Sequence, residues 1–416
     1  MRRSTKSPFQ KITGDSHRLV MLSQGLAQSS SRMEERSWER ALSNLLAKLL
    51  RTGHQETLDN ALDHLYKKDL PAYDALMEAA EEASSSCVIE HEDAQYDALL
   101  IAAPVLAWTR YTIASGAIPP DTRTTLAAHL SAHLLAPETH LALAPTLYAI
   151  DQLPRTHGET YALTHKLAQA AIKNTPPKPP TSSEETAPFL ADTRYLLAVV
   201  TARAGEPLFR WQASLDAADR MRALTQWRNQ VTPTVMRLLP GCSVELLLPE
   251  AYYVACREAD RLIRPASIRA AVNYLTTTLG VDPQSLRAVI GAFGEEPVGS
   301  RLDEYRIGFT LRHDSEVVYG VVWPLFGQED DDEGDGSSLS ETLGSPEALM
   351  ENPRSPLEEI QALLRECGIV HIKRHIERFP MEFCDDCGAP LYPDPEGELV
   401  HAEMPEDAPS GTEHFH

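Results

Sequence analysis

Tyr96-Asp-Ala-Leu-Leu-Ile-Ala-Ala-Pro-Val-Leu-Ala-Trp108 alternates and then saturates with apolar side chains, and two later stretches open alike: Arg194-Tyr-Leu-Leu-Ala-Val-Val200 and Tyr305-Arg-Ile-Gly-Phe-Thr-Leu311. Each leads to a tryptophan (Trp108, Trp211, Trp323), then a helical stretch, then an apolar run ending at a proline (Pro145, Pro249, Pro380) with an aromatic residue three positions later (Tyr148, Tyr252, Phe383). Tryptophan to proline is 37, 38 and 57 residues, and an insert around Gln328–Glu351 accounts for the longer third spacing. The pattern predicts an α+β protein of pseudo-repeated strand-strand-helix-strand units. A chance likeness of three mixed segments is the alternative. Further helices are expected at Glu159–Lys173 and Ala266–Leu279, and an extra strand at Leu286–Phe293. From Glu245 onward the order becomes strand, helix, three strands, helix, strand, near a split βαβ ferredoxin-like plan with one strand added.

Working outward gives the boundaries. Residues 1–30 carry Arg2, Arg3, Lys6, Lys11 and Arg18 against Asp15 and are expected to form a basic flexible arm. Over 31–85, Trp38, Leu42, Leu45, Leu46 and Leu49, then Leu58, Ala61, Leu62 and Leu65, recur at helical spacing, which predicts a cap of two or three helices. The first unit spans 86–173, a Pro-rich linker 174–187, the second unit 188–285 and the third 286–383. Within the third, 328–353 reads as an acidic disordered loop, too polar to fold by itself and without the ligand spacing of a calcium loop. Residues 384–416 form the tail.

The chain has 416 residues, 43% hydrophobic, enough for two or three packed domains. Sixty Asp and Glu outnumber 38 Lys and Arg, a formal charge of -22 that argues against nucleic acid as a partner. No apolar run has the length of a secretory signal or a membrane span, so a cytoplasmic protein away from the membrane is expected. Of six cysteines, Cys87, Cys242, Cys256 and Cys367 stand singly in apolar or mixed surroundings, as buried reduced thiols do.

The chemistry concentrates at the end. Cys384-Asp-Asp-Cys387-Gly is a knuckle able to present two sulfurs to one tetrahedral ion, and His401, His414 and His416 follow. The expected site is structural Zn2+ held by Cys384 and Cys387 with two of those three histidines, anchoring a tail poor in apolar groups. A dithiol redox centre is the competing reading, which Asp385 and Asp386 disfavour by opposing thiolate. Nine acidic and no basic residues from Cys384 onward also separate this module from DNA-binding fingers. Two other places invite weaker readings. His129 and His133 share a helix face with His140 soon after, an arrangement that could serve a metal-dependent hydrolase. Tyr252, Tyr253, Cys256, Arg257 and Asp260 could floor a ligand pocket near Tyr252 and Arg257, although core packing with an Arg257 to Asp260 pair explains them as well. His371 and His375 are expected exposed on a strand. No nucleotide loop, nucleophile elbow or metalloprotease helix is present. The function expected is therefore a non-enzymatic binding or regulatory scaffold for a protein or small-molecule partner.

Met-Arg-Arg-Ser at the start, the Tyr96–Tyr111 segment, Leu247-Leu-Pro-Glu-Ala-Tyr-Tyr-Val-Ala-Cys-Arg-Glu-Ala-Asp-Arg261, and Phe383-Cys-Asp-Asp-Cys-Gly-Ala-Pro-Leu391 to the closing His-Phe-His resemble an uncharacterised bacterial family catalogued as domain of unknown function 2863. The resemblance covers nearly the whole chain. It implies a bacterial, cytoplasmic setting and a native rather than appended terminal His-Phe-His, and it brings no catalytic residues with it.

Overall fold

A computed structural model describes residues 14–178, 189–214, 216, 218–294, 302–326, 329 and 355–405. The described residues open with helices α1 (Asp15–Ala27), α2 (Arg32–Thr52), α3 (Gln55–Tyr66) and α4 (Leu70–Ser85). Local chemistry sets their ends: Ser31 and Asp69 accept N–H groups of the first turns of α2 and α4, and α2 stops at Gly53 with φ 72°. Leu19, Leu42, Leu46, Leu58, Leu65, Leu76 and Ala80 interlock as the core of this cap. The arm expected over 1–30 is therefore helical in its second part, because Leu19, Val20 and Leu22 give α1 an apolar face to bury.

Strand β1 (Ser86–His91) turns into β2 (Ala94–Trp108) through Glu92 and Asp93, both at positive φ, as a two-residue hairpin requires. Then follow β3 (Gly116–Ala117), α5 (Pro120–His133), β4 (His140–Ala149), α6 (His157–Ile172), β5 (Ala191–Arg203), α7 (Ala218–Met236), β6 (Ser243–Leu246), β7 (Glu250–Ala251) and α8 (Tyr252–Leu279). The first and second units share one antiparallel sheet, ordered β1-β2-β5-β4-β3, with β6 and β7 also on β2. In β2-α5-β4 the two strands are separated by β5, and in β5-α7-β6/β7 they are separated by β2, so two split β-α-β units interleave. Leu126, Leu130, Trp227 and Val231 of α5 and α7 cover one face, while Leu167, Ala171, Tyr252 and Ala259 of α6 and α8 cover the other.

The remaining elements are β8 (Leu286–Gly294), β9 (Glu304–Leu311), β10 (Val317–Pro324), α9 (Pro356–Glu366), β11 (His371–Pro380), β12 (Tyr392–Pro393) and β13 (Leu399–Val400). A second sheet runs β10-β9-β8-β11, with β11 parallel to β8. This strand order departs from the split plan expected from Glu245 onward, since the last strand lies outside the meander. The strand-strand-helix-strand order appears in the first unit as β2-β3-α5-β4 and in the third as β9-β10-α9-β11, whereas in the second no strand stands between β5 and α7 among the described residues. Trp108 ends an unbroken strand, and Trp211 lies in a 3-10 turn where its ring stacks on Phe209 at 4.7 Å.

Helix α8 joins the sheets. It begins at Tyr252, ahead of the start expected at Ala266, and is continuous through Pro265; the carbonyl that Pro265 cannot serve, that of Arg261, receives the Arg264 Nε–H at 3.2 Å. Arg264 also pairs with Glu329 and lies over the Trp323 ring at 5.0 Å.

At the start of β5 the core turns polar. Arg194 is 2% exposed, pairs with Asp192, and donates to the carbonyls of Ile113 and Ala114 at 2.7 and 2.9 Å. Burial pushes the Asp260 carboxyl up to about 6, with Asp192 reinforcing and Arg264 opposing the rise. The folded state thus binds this proton more tightly than the unfolded chain. Its contribution is complete below pH about 4 and is lost as pH rises through about 6. Asp260→Asn should remove this dependence: relative to the variant, the parent loses up to about 3 kcal/mol between pH 4 and 7. Urea unfolding of both proteins across that range checks it, and parallel pH profiles would refute it.

Candidate metal centre

The tail is built onto the open face of the second sheet. On that face β8, β9 and β10 present Gly291, Gly308 and Gly320, and a Cβ at Gly320 would lie 2.1 Å from the Tyr392 ring. Tyr392 fills the furrow, and burial pushes its phenol up. Arg306 of β9, 0% exposed, projects beside it. Its guanidinium lies between the rings of Phe293 (4.3 Å) and Phe383 (5.0 Å) and donates to Glu304 at 2.5 Å and to the carbonyls of Glu382 and Leu391 at 2.6 and 2.8 Å. Those carbonyls stand on either side of the Cys-Asp-Asp-Cys loop, so one cation clamps both its ends.

Within the clamp the loop closes on itself. Leu391 donates to Glu382, Cys384 to Ala389 and Gly388 to the Cys384 carbonyl, with Gly388 at φ 74°. Asp394 then accepts the N–H groups of Glu396, Gly397 and Glu398, turning the chain into β13 and on to His401. His375, expected exposed, is half-buried and donates to the Asp394 carbonyl at 2.8 Å, and His371 is half-buried too. Beyond His401, the Glu403 N–H reaches the Val317 carbonyl at 2.9 Å.

These turns bring Cys384, Cys387 and His401 together, one ligand atom of each within 4.8 Å of the others. Cys387 Sγ is 3.2 Å from His401 Nε2. Around a tetrahedral ion with sulfur at ~2.3 Å and nitrogen at ~2.0 Å, that separation is about 3.5 Å. Thiolate and imidazole are the donors zinc takes, so the residues fit the ion. His401 Nδ1 is buried, with the Glu403 carboxylate 3.3 Å away but out of hydrogen-bonding alignment. The Cys384 thiol is held below its ordinary value by the backbone N–H groups of Cys387 and Asp386 and by the Cys387 side chain. Asp386 opposes the Cys384 thiolate, as expected, but the loop's own amides outweigh it. His414 and His416 lie outside the described residues, as does the acidic stretch 330–354.

The sequence model of the family described as "Protein of unknown function (DUF2863)" matches residues 4–415. The chain belongs to this family. No curated protein and no solved structure matches it. The family therefore brings the tail and both sheets under one heading, and the chemistry must be read from the residues themselves.

The other candidates disperse. His129 and His133 stack on α5 at 6.0 Å, and His133 Nε2 meets Gln230 Oε1 at 3.1 Å. His140 lies on the sheet face of Ala142, opposite α5, with its ring against Tyr96. The sheet stands between the two groups, and the tail trio is the one metal-compatible cluster of these types among the described residues. Tyr252, the first residue of α8, is buried against the first sheet, which pushes its phenol up. Arg257 instead lines an open cleft of about 740 Å³ with Glu245, Leu248, Val254, Arg261 and Phe326. It holds Glu81 of the cap at 2.6 and 2.7 Å rather than Asp260. Burial pushes Cys87 and Cys256 up to about 12, as inert thiols. No described helix is long and apolar enough to cross a membrane. Arg306 is the residue that sequence reasoning missed; its signal was a lone cation among the apolar residues of Tyr305–Leu311.

Proposed function

We propose that this is a cytoplasmic zinc-binding protein acting as a non-enzymatic binding or regulatory scaffold, with structural Zn2+ on Cys384, Cys387 and His401 and a fourth ligand from His414 or His416. The observation that carries the zinc reading is the convergence of two thiols and an imidazole on a loop clamped by Arg306. Bound zinc would supply folding free energy and tie the loop to a chain segment with few apolar anchors. The scaffold reading rests on the sequence, which carries no nucleotide loop, nucleophile elbow or metalloprotease helix. We read the two interleaved β-α-β units as ferredoxin-like repeats and the third unit as a diverged neighbour.

Elemental analysis of the purified, untagged chain tests this. One zinc per chain is expected, lost in Cys384→Ser/Cys387→Ser together with part of the thermal stability. His129→Ala/His133→Ala should keep its zinc. Metal-free protein after zinc supplementation, or zinc retained without both thiols, would sink the assignment.

A further inference from the structure

The Cys384–Cys387 pair differs from the other four thiols in a way that bears on regulation. Cys87, Cys242, Cys256 and Cys367 are all partly covered, and burial raises each of them. Cys387 is the one exposed cysteine, and its nearest reactive neighbour, Cys384, lies in the same short loop. That loop is closed by hydrogen bonds of its own and pinned at both ends by Arg306, so the sulfurs can approach without moving a strand of the sheet. His401 is placed differently. It comes after β13, a two-residue strand whose one partner among the described strands is equally short. Its link to the loop is the Cys387 contact. Tyr392 and Pro393 are seated in the glycine furrow, whereas Leu399, Val400 and His401 are half-exposed.

On this basis, and resting on the zinc reading above, we propose that the site is a hydroperoxide-responsive switch: oxidation of Cys384 and Cys387 to a disulfide releases the metal and frees residues 396–405 from the second sheet. The chemistry balances with a hydroperoxide as co-reactant. Cys387 Sγ attacks the distal peroxide oxygen, the O–O bond breaks, and the leaving oxygen departs as alcohol, or as water when the oxidant is hydrogen peroxide. Cys384 Sγ then displaces hydroxide from the resulting sulfenic acid, which takes up a proton and leaves as water. Two electrons pass from the sulfurs to the peroxide, and two of the metal's ligands are consumed. The imidazoles left are too few to retain the ion, and the segment after Asp394 is then held by its turn, the two-residue pairing of β13 with β12, the Lys373 to Pro395 and Glu403 to Val317 hydrogen bonds, and the packing of Met404. The Arg306 clamp and the Tyr392 seat lie before that segment and stay in place.

The test uses zinc-loaded full-length protein titrated with hydrogen peroxide. Three readouts are followed: zinc release with a chromogenic chelator, the thiol-to-disulfide mass change in the 384–387 peptide, and amide hydrogen exchange. Expected are loss of two hydrogens from that peptide, release of the zinc in step with it, and at least a tenfold faster exchange across 396–405 with 286–294 and 304–311 unchanged. Dithiothreitol with zinc should restore the starting state. His401→Gln, which spares both thiols and the clamp, should show fast exchange at 396–405 before any oxidant and still form the disulfide. Zinc retained through peroxide treatment that oxidises exposed methionines would overturn the switch while leaving the zinc site standing. So would zinc release with no change in exchange. A reduced protein that never binds zinc would overturn the underlying reading instead.

Discussion

Arg306→Ala should destabilise the chain by about 3–5 kcal/mol, the largest effect expected of any single substitution here. The guanidinium is fully buried, and deleting it strands the Glu304 carboxylate, whose side chain is 14% exposed. It also strips donors from the Glu382 and Leu391 carbonyls and opens a void between Phe293 and Phe383. An unpaired charge in such a place costs more than the pair ever contributed, because the desolvation of the partner is no longer offset. The geometry adds a local consequence: with neither end of the Cys-Asp-Asp-Cys loop held, zinc content should fall with stability. Arg306→Lys should recover little, since one ammonium cannot reach two carbonyls while lying flat between two rings. Removing the charges together, as Glu304→Gln/Arg306→Met, should cost less than Arg306→Ala alone. Urea unfolding with zinc analysis decides the matter; an Arg306→Ala protein with parental stability and full zinc would mean that the clamp holds nothing.

What the sequence disclosed follows the range of the forces involved. The cap was legible because Leu42, Leu45, Leu46 and Leu49 report a helix from local spacing, and α1 was missed because basic residues around it masked the stripe of Leu19, Val20 and Leu22. The two thiols were legible because their pairing lies within four residues. Which histidine joins them was not, since that depends on the Asp394 turn and the seat of Tyr392, contacts with strands about 70 residues earlier. Matching Trp108, Trp211 and Trp323 aligned three stretches by local pattern, but strand pairing is non-local, and it puts the strands of the first two stretches in one sheet and those of the third in another. Likewise, the helix expected from Ala266 starts earlier and runs through Pro265, where the Arg264 side chain serves the carbonyl that the proline leaves. Arg257 was bound to Asp260 on paper because they are three apart on a helix; the cap, folding over α8, offers Glu81 instead.

Gly320→Ala should destabilise the protein by about 1–3 kcal/mol, against the sign that strand preference alone predicts. In an extended strand alanine is ordinarily favoured over glycine by about 0.5–1 kcal/mol. Here the added carbon would sit 2.1–2.3 Å from three atoms of the Tyr392 ring, so the ring or β10 must shift. A Cβ at Gly308 would lie 2.8 Å from the Pro393 carbonyl and one at Gly291 2.9 Å from the Phe379 ring, so the furrow is floored by glycine on three strands because the tail and a neighbouring ring lie directly on the backbone. The clash makes the prediction specific to its partner. Tyr392→Ala alone should cost about 2–4 kcal/mol through lost burial, but Gly320→Ala in the Tyr392→Ala background should be neutral or mildly stabilising. A double-mutant cycle in urea should therefore show strong non-additivity; additive costs would mean that Tyr392 does not occupy the furrow. The consequence reaches the metal centre, since Tyr392 lies between Cys387 and His401 and fixes where the chain starts its return. A ring forced out of its seat moves the imidazole away from the thiols, and the Gly320→Ala protein should bind zinc more weakly although no ligand has been touched.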